Sequence, residues 1–311
     1  MNDREIVCED LTLALESLQR EGYRLDVIYP ADDPHTAVLS GEGCTVRLTS
    51  RPDLTAPTGD LPPFAPKFVL TRGGGSGEGR AGMLYRDLIP SRLGGRYIAS
   101  HITIPAGGPV ADWVHFHRIA LQLICVRSGW VRVVYEDQGD PFTMHAGDVV
   151  LQPPGIRHRV LESSSGLEVV EITCPALHET FAEHDLALPN DRVDPERRFS
   201  GQRFHRHIAA QTPWTPFAGG ESQETAIGQA TGGLTEVRTV RPADGRPMSF
   251  RPSDGELVFA YILEGSVVVE FDGGHELARS DAMVIPPDAA WRLNNASPDL
   301  RLLHVTTSRL V

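Results

Sequence analysis

Two short histidine-containing segments constrain this chain more than any other feature of its sequence. The first contains His115 and His117 and is followed by Gln122, and the second ends at His158. The residues between them read as β-strands with glycines at the turns. Alternate residues of a strand point to the same face, so His115 and His117 project together. A second strand would bring His158 opposite them, which predicts a cluster of three imidazoles and one amide.

This set of side chains predicts a site for one divalent transition metal per chain. Imidazole suits Fe, Cu, Ni and Zn, and Mn is a further candidate. The amide of Gln122 is neutral and a weak ligand, so a bound metal would keep its dipositive charge and open positions. That charge favours an anionic, chelating substrate such as an enolate or a catecholate-like pair of oxygens. Whether Gln122 is itself a ligand or only hydrogen-bonds a bound water or ligand stays open.

The two segments resemble the two sequence motifs of the cupin family, G(x)5HxH(x)3-4E(x)6G and G(x)5PxGxxH(x)3N. The matching residues are His115, His117, Gly129, Gly147, Pro153, Gly155 and His158. Three positions depart from the pattern, namely Pro109, Gln122 and Glu162. The resemblance covers roughly residues 95–175. It implies a jelly-roll barrel with a metal inside, and in this family Fe(II) is our first choice of metal.

A second stretch, residues 215–308, repeats the rhythm of the first. Aligning Gly265 and Pro286 on the corresponding motif positions puts four residues at the ligand positions: Arg251, Ser253, Val258 and Trp291. These side chains cannot form the same metal site. The predicted fold is therefore mainly β, with two tandem cupin jelly-roll barrels and a small N-terminal α+β extension. A bicupin with a metal site in its first barrel only resembles the arrangement of gentisate-type dioxygenases.

The chain divides into four predicted segments. They are a small α+β extension (1–60), a Pro/Gly-rich linker (61–82), a metal-binding barrel (83–200) and a degenerate barrel without metal ligands (201–311). In the extension, a helix that ends before Gly22 and three short strands resemble half of a glyoxalase-type βαβββ unit. The glycine-rich run of residues 73–79 predicts a flexible loop, which could act as a lid.

Several residues near the motifs are candidates for chemistry. Glu162 shares its alternation with His158, which makes it a candidate catalytic base or supporting acceptor, or else a surface carboxylate. His101, on a strand entering the barrel, is a second catalytic candidate. Arginine binds carboxylates in a bidentate manner, and for each arginine a solvated surface position is the alternative. The predicted substrate-binding residues are Arg118, Arg157, Trp113 and Tyr97.

Composition restricts the partners. The net charge of -12 argues against nucleic acid and anionic membranes. We find no apolar stretch long enough to span a membrane and no signal peptide, so a cytoplasmic protein is expected. The four cysteines are widely spaced, which favours neither a disulfide framework nor zinc. The expected partner is a small-molecule substrate, and homodimerisation is an expectation from the family resemblance.

Two classes of function fit these features. The first is an Fe(II)-dependent dioxygenase that cleaves a C–C bond in a small enolisable or hydroxyaromatic substrate. The second is a metal-dependent isomerase or lyase, or a non-oxidative cupin that binds a small molecule. One barrel hosts many reactions, so the fold alone does not decide between them.

Overall fold

A computed structural model describes residues 2–54, 56–79, 82–243 and 245–310. Residues 80 and 81 of the predicted linker therefore lie outside the described ranges, as do residues 1, 55, 244 and 311 of the other predicted segments. Strands dominate the described chain, which confirms the predicted mainly β class. None of the helices in these ranges has the length and hydrophobicity needed to cross a bilayer.

The N-terminal unit packs one helix on a four-stranded sheet. Its elements are β1 (Asn2–Val7), α1 (Leu11–Arg20), β2 (Arg24–Tyr29), β3 (Thr36–Gly41) and β4 (Cys44–Thr49). Helix α1 begins at Asp10, whose side chain accepts the N–H of Leu13 at 3.0 Å. Strand β1 pairs in parallel with β4 at the sheet edge. The sequence analysis missed this strand because its residues are mostly polar, as suits an exposed edge.

The first barrel is built from two sheets that face each other across an apolar interior. Its strands are β7 (Leu84–Asp87), β8 (Ile98–Ile104), β9 (Gly108–Pro109), β10 (His115–His117), β11 (Leu121–Ser128), β12 (Trp130–Tyr135), β13 (Phe142–His145), β14 (Val149–Leu151), β15 (His158–Ser163), β16 (Leu167–Cys174) and β17 (Thr180–Ala182). Three short strands follow, β18 (Arg198–Phe199), β19 (Gln202–Arg203) and β20 (His205–His207). One sheet has the order β17-β10-β15-β12-β13, and the other has the order β20-β14-β11-β16-β8-β7.

The N-terminal unit is joined to this barrel edge to edge. Strand β2 pairs antiparallel with β17, with Thr180 opposite Ile28. Strand β17 pairs on its other side with β10, which carries the histidines. The N-terminal sheet and the histidine-bearing sheet are therefore one continuous sheet.

The second barrel repeats the architecture. A 3-10 helix (Ala209–Gln211) leads into β21 (Thr215–Phe217), β22 (Gly220–Glu224), α2 (Ile227–Ala230), β23 (Thr235–Arg241), β24 (Met248–Phe250), β25 (Leu257–Glu264), β26 (Ser266–Glu270), β27 (Gly274–Ala278), β28 (Ala282–Val284), β29 (Trp291–Asn294) and β30 (Arg301–Thr307). Its interior is packed with large side chains. Phe250 and Trp291 stack at 3.8 Å between ring centroids, and the buried His304 lies against both rings. Aromatic packing thus fills the place that the metal site takes in the first barrel.

The two barrels pack through the outer faces of two sheets, the one that contains β11 and β16 in the first barrel and the one that contains β25 and β30 in the second. Leu123 and Val170 from the first barrel and Phe259 and Val305 from the second belong to one fully buried apolar cluster. This shared core makes the barrels one packed body, because the apolar faces of both sheets are removed from water together.

The segment predicted as a flexible linker contributes strands to both barrels. Strand β5 (Val69–Thr71) pairs with β28 of the second barrel, and β6 (Gly77–Glu78) pairs with β7 of the first. Arg72 also donates to Asp281 at 2.9 Å. The difference from the expectation has a physical cause. Both partner strands offer unpaired backbone groups at their edges, and the segment satisfies them.

Candidate metal centre

Three buried histidines converge on the inner face of the first barrel. His115 lies directly opposite His158 in the β10–β15 pairing, and His117 is two residues further along the same strand. The ring centroids of His115 and His158 are 4.2 Å apart, and those of His117 and His158 are 5.2 Å apart. One nitrogen from each ring lies within 4.8 Å of the others. The predicted cluster therefore exists as a candidate metal-binding group.

The hydrogen bonds of these rings prepare them for a metal. The Nδ1 atom of His115 lies 2.8 Å from the carbonyl oxygen of Trp113, and Nδ1 of His158 lies 3.0 Å from that of Ile156. A carbonyl oxygen only accepts hydrogen bonds, so in both rings Nδ1 carries the proton. Nδ1 of His117 lies 3.2 Å from the hydroxyl of Thr180. With Nδ1 protonated, each ring keeps the Nε2 lone pair that a metal requires.

A buried carboxylate supports this arrangement from behind. One Oδ atom of Asp112 lies 3.5 Å from Nδ1 of His115, and the other accepts the backbone N–H of Val160 at 2.9 Å. Asp112 thereby links the histidine strand β10 to β15. The sequence analysis did not identify Asp112, although an acidic residue three positions before the first histidine was a usable signal.

Two glutamine amides lie beside the triad. Gln122 on β11 and Gln152 after β14 are adjacent, since the N–H of Gln152 donates to the carbonyl of Gln122 at 3.0 Å. Both side chains are buried, and the Oε1 atom of each has no hydrogen-bond partner among the described residues. A buried acceptor without a partner is unfavourable. The structure thus fits a metal or ligand that satisfies these atoms, and Gln122 occupies the predicted position.

A cavity of about 90 Å³ opens beside the histidines. Its polar end holds the triad, the two glutamines and His178, whereas most of the remaining wall is apolar. The apolar wall includes Met83, Ile102, Ile124, Val133, Met144, Val150 and Val169. Ala31, in the loop after β2, shows that the N-terminal unit also reaches the cavity. The arrangement suits a small molecule with one polar and one apolar side.

The structure places Glu162 differently from its predicted alternation. The register of β12 and β15 shifts, so that Val133 lies opposite Val160 whereas Arg132 lies opposite Glu162. This β-bulge adds one residue and reverses the faces beyond it. Glu162 consequently shares the outer face with the exposed Arg132 and does not line the cavity.

His101 lies between the two barrels rather than in the cavity. Its Nδ1 is 3.0 Å from Arg86, its Nε2 is 3.3 Å from a carboxylate oxygen of Glu168, and its ring packs edge-on against Tyr261. Burial lowers the pKa of His101 to about 4, helped by the charges of Arg86 and Arg127. The ring is therefore neutral at pH 7 and belongs to a polar network at the barrel interface.

The predicted substrate-binding residues have other partners. Arg118 donates to Glu179 at 2.9 Å, and Arg157 donates to Glu183 at 2.9 Å. The guanidinium of Arg157 lies over Phe116, on the outer side of β10. Neither arginine lines the cavity.

Trp113 and Tyr97 also lie outside the cavity wall. Trp113 packs edge-on against His115 and supplies the carbonyl that holds this ring. The hydroxyl of Tyr97 donates to Glu256 at 3.1 Å in the interface between the barrels. There Glu256 also accepts two hydrogen bonds from Arg96, at 3.0 and 2.8 Å. Trp113 thus supports the metal site, and Tyr97 supports the packing of the two barrels.

The cavity contains two chemical groups that the sequence analysis missed. His178 is buried, its ring lies 5.5 Å from that of His117, and its Nδ1 lies 3.0 Å from the carbonyl of Pro175. Burial lowers the pKa of His178, so this ring is neutral. Glu171 lies on the inner face of β16. The alternation of Leu167, Val169 and Glu171 was a signal for this position, whereas nothing in the sequence motifs points to His178.

Comparisons with known proteins agree with this geometry. A model of the cupin domain matches residues 100–173, whereas none of the curated proteins matches the chain. Among solved structures, a protein of Pseudomonas aeruginosa described as glyoxylate-induced is 14% identical with a TM-score of 0.57, over 83% of this chain and 95% of that one.

Two enzymes are similar in structure over a large part of the chain. Oxalate decarboxylase of Lactobacillus farciminis is 13% identical with a TM-score of 0.55, covering 82% of this chain and 90% of its own. Salicylate 1,2-dioxygenase of Pseudaminobacter salicylatoxidans is 18% identical with a TM-score of 0.52, covering 68% and 71%. At these identities the similarity concerns the fold. Residues 100–173 are therefore a cupin domain, and the chain as a whole has the fold of a bicupin.

Proposed function

We propose that this chain is a metal-dependent dioxygenase that uses Fe(II) to cleave a C–C bond in a small enolisable or hydroxyaromatic substrate. The observation that carries the proposal is the convergence of three imidazoles on a small and largely apolar cavity, with no acidic side chain in the same cluster among the described residues. A divalent transition metal at this site would supply a Lewis acid for chelating oxygens and, if redox-active, a centre for activating dioxygen.

The residues of the chain determine which substrates fit. Three neutral nitrogens and the amide of Gln122 leave the positive charge of a metal uncompensated, which favours an anionic pair of substrate oxygens. Gln152 has an orphan amide oxygen that can accept a hydrogen bond from a substrate hydroxyl. The apolar wall excludes water and packs against the carbon skeleton. A cavity of about 90 Å³ restricts the substrate to a small molecule.

The names of the structural neighbours point to two kinds of reaction. Salicylate 1,2-dioxygenase is named for an oxidative reaction on a hydroxybenzoate, and the oxalate decarboxylases are named for the loss of carboxyl from a dicarboxylate. The first agrees with our proposal. The second agrees with the alternative of a lyase or isomerase, in which the metal acts only as a Lewis acid.

The test combines metal content with oxygen consumption. The protein, purified without a chelating tag, is analysed for metals, loaded anaerobically with Fe(II), and assayed for oxygen uptake with 1,3-diketones and hydroxybenzoates. We expect about one iron per chain and substrate-dependent uptake. Uptake with no member of the panel, together with decarboxylation of a dicarboxylate or isomerisation of a hydroxycarbonyl compound, would support the alternative.

Matched histidine variants show whether the assigned cluster is responsible. His158→Ala removes one of the three converging nitrogens, so we expect loss of metal and of oxygen uptake. His145→Ala changes an exposed histidine on β13, two strands away from β15 in the same sheet, and should retain both metal and oxygen uptake. Full metal occupancy in His158→Ala would refute the site assignment.

A further inference from the structure

The strand β16 brings one carboxylate into the cavity. Glu171 lies on the inner face of this strand, between Val169 and Thr173, and its direct partners on the neighbouring strands are Ser100 and Ile124. Among the described residues that line the cavity, Glu171 has the only carboxylate. The wall otherwise offers amides, imidazoles, hydroxyls, a guanidinium and apolar groups.

The register places this carboxylate near the metal-binding end. Gln122 lies directly opposite Thr173, and Glu171 is two residues away on the same face of β16. Such diagonal neighbours in an antiparallel pair are about 7–8 Å apart, within reach of a long side chain. The hydroxyl of Thr173 donates to Oε1 of Glu171 at 3.5 Å. This contact joins the carboxylate to Thr173, the residue directly opposite Gln122.

Tyr135 also lines the cavity, next to His158. The ring of Tyr135 stacks on His158 with 5.7 Å between centroids. Glu171, Tyr135, His158 and Gln122 therefore line one and the same cavity.

Two cavity groups described above have the chemistry of a base for an incoming hydroxyl, the carboxylate of Glu171 and the imidazole of His178. His178 is buried beside His117, so proton uptake there would place a second cation next to the metal-binding histidines, whereas proton uptake by Glu171 removes a buried negative charge. The amides of Gln122 and Gln152 do not accept a proton near neutral pH. The three converging imidazoles are the predicted metal ligands. Glu162 faces outwards beyond the bulge. Since position 122 holds an amide instead of an acid, a carboxylate can act in this cavity only from another strand.

We propose that Glu171 is the base that takes the hydroxyl proton of the substrate as the substrate oxygens enter the three-histidine site. This inference rests on the proposed function. The O–H bond of the substrate breaks, and its electron pair stays on the substrate oxygen, which becomes an anionic ligand. The proton forms an O–H bond with a carboxylate oxygen of Glu171. No electrons are transferred, and the charge of the cavity is unchanged, because one anion replaces another.

The proposal narrows the substrate class. A phenol, a catechol or an enol brings a proton that Glu171 can take, and it becomes a chelating anion only inside the cavity. A dicarboxylate arrives already ionised and brings no hydroxyl proton for Glu171 to take. The substrate is thus a neutral or singly charged hydroxyl compound.

The test uses Zn(II) as a redox-inert metal and 4-nitrocatechol as the probe, because its visible absorbance changes when its hydroxyls ionise. The probe is titrated at a pH at which it is protonated in solution. Wild-type protein should bind it in the ionised form. Glu171→Gln should retain its zinc. It should bind the probe about 10- to 100-fold more weakly, as expected for loss of a charge-assisted hydrogen bond. A larger fraction of the bound probe should remain protonated in this variant. Glu171→Asp, which keeps a carboxylate, should recover part of the affinity for the probe and part of its ionisation.

The control is Glu162→Gln, which makes the same change at the carboxylate on the outer face of β15. Its affinity for the probe should equal that of the wild type. Wild-type affinity with full ionisation of the probe in Glu171→Gln would overturn the role of Glu171, as would loss of zinc from that variant. Failure of the wild type to bind zinc would instead overturn the proposed function, together with this inference.

Discussion

At the scale of single residues, the candidate metal site is defined by the groups behind the histidines. The carbonyls of Trp113 and Ile156 and the hydroxyl of Thr180 each approach one Nδ1 atom and leave Nε2 for the metal. Such contacts fix the ring orientation and raise the basicity of the ligand. The hydroxyl of Thr180 is the contact that can be removed without altering the backbone.

Thr180→Val should weaken zinc binding about 10-fold or more, because partners of this kind contribute about 10- to 100-fold to metal affinity. The reason is that His117 loses the acceptor that holds its Nδ1 proton. The measurement is competition for Zn(II) against a chromophoric chelator. Thr143→Val, on the outer face of β13, is the control and should bind zinc like the wild type. Equal affinities in the two variants would contradict the role of Thr180.

At the scale of secondary structure, turns and bulges decide which side chains enter the barrel. The bulge between β12 and β15 turns Glu162 outwards, whereas the regular alternation of β16 keeps Glu171 inside. A strand pattern alone predicts faces correctly only until an extra residue is inserted. Gly129, at the tight turn between β11 and β12, is a comparable device, because its φ of +82° favours glycine.

Gly129→Ala should destabilise the protein more than Gly166→Ala. Both positions have positive φ, which costs a residue with a Cβ about 1–2 kcal/mol. Only at Gly129 would the new Cβ collide with the hydroxyl of Ser164, which accepts the N–H of Trp130. We expect an extra cost of about 1–3 kcal/mol at this position. Urea unfolding of the two variants measures the difference, and equal midpoints would show that Ser164 moves aside.

At the scale of the whole molecule, two similar barrels have different interiors. The first encloses a cavity with a histidine cluster, and the second is filled by aromatic side chains around His304. Burial lowers the pKa of His304 to about 3, and the charge of Arg238 contributes. In the unfolded chain the ring titrates near 6.5, so below this pH the unfolded state binds a proton that the folded state does not.

His304→Phe should make the fold less sensitive to acid. Above pH 6.5 this histidine does not lower the free energy of unfolding, because it is neutral in both the folded and the unfolded state. As the pH falls from 6.5 towards 3, protonation of the unfolded state lowers the free energy of unfolding progressively. From pH 7 to pH 5 the variant should therefore gain about 2 kcal/mol of unfolding free energy relative to the wild type. Urea titrations at both pH values measure this change, with His145→Ala as the exposed control. A constant difference between His304→Phe and the wild type would contradict the buried, neutral state of His304.

The sequence by itself determined the features that depend on local pattern. Strand alternation was enough for the β class and for the common face of His115 and His117, and the resemblance of the two motifs to the cupin pattern predicted the two-barrel fold and the positions of Gln122 and His158. Tertiary structure decided the rest. The outward position of Glu162 depends on the register between β12 and β15. The location of Tyr97 and His101 depends on how the two barrels pack. The positions of Glu171 and His178 in the cavity depend on which strands become neighbours. Contacts between residues far apart in the chain arise only when the sheets pair and pack, so strand alternation can predict that Glu171 faces inwards but not which groups it meets there.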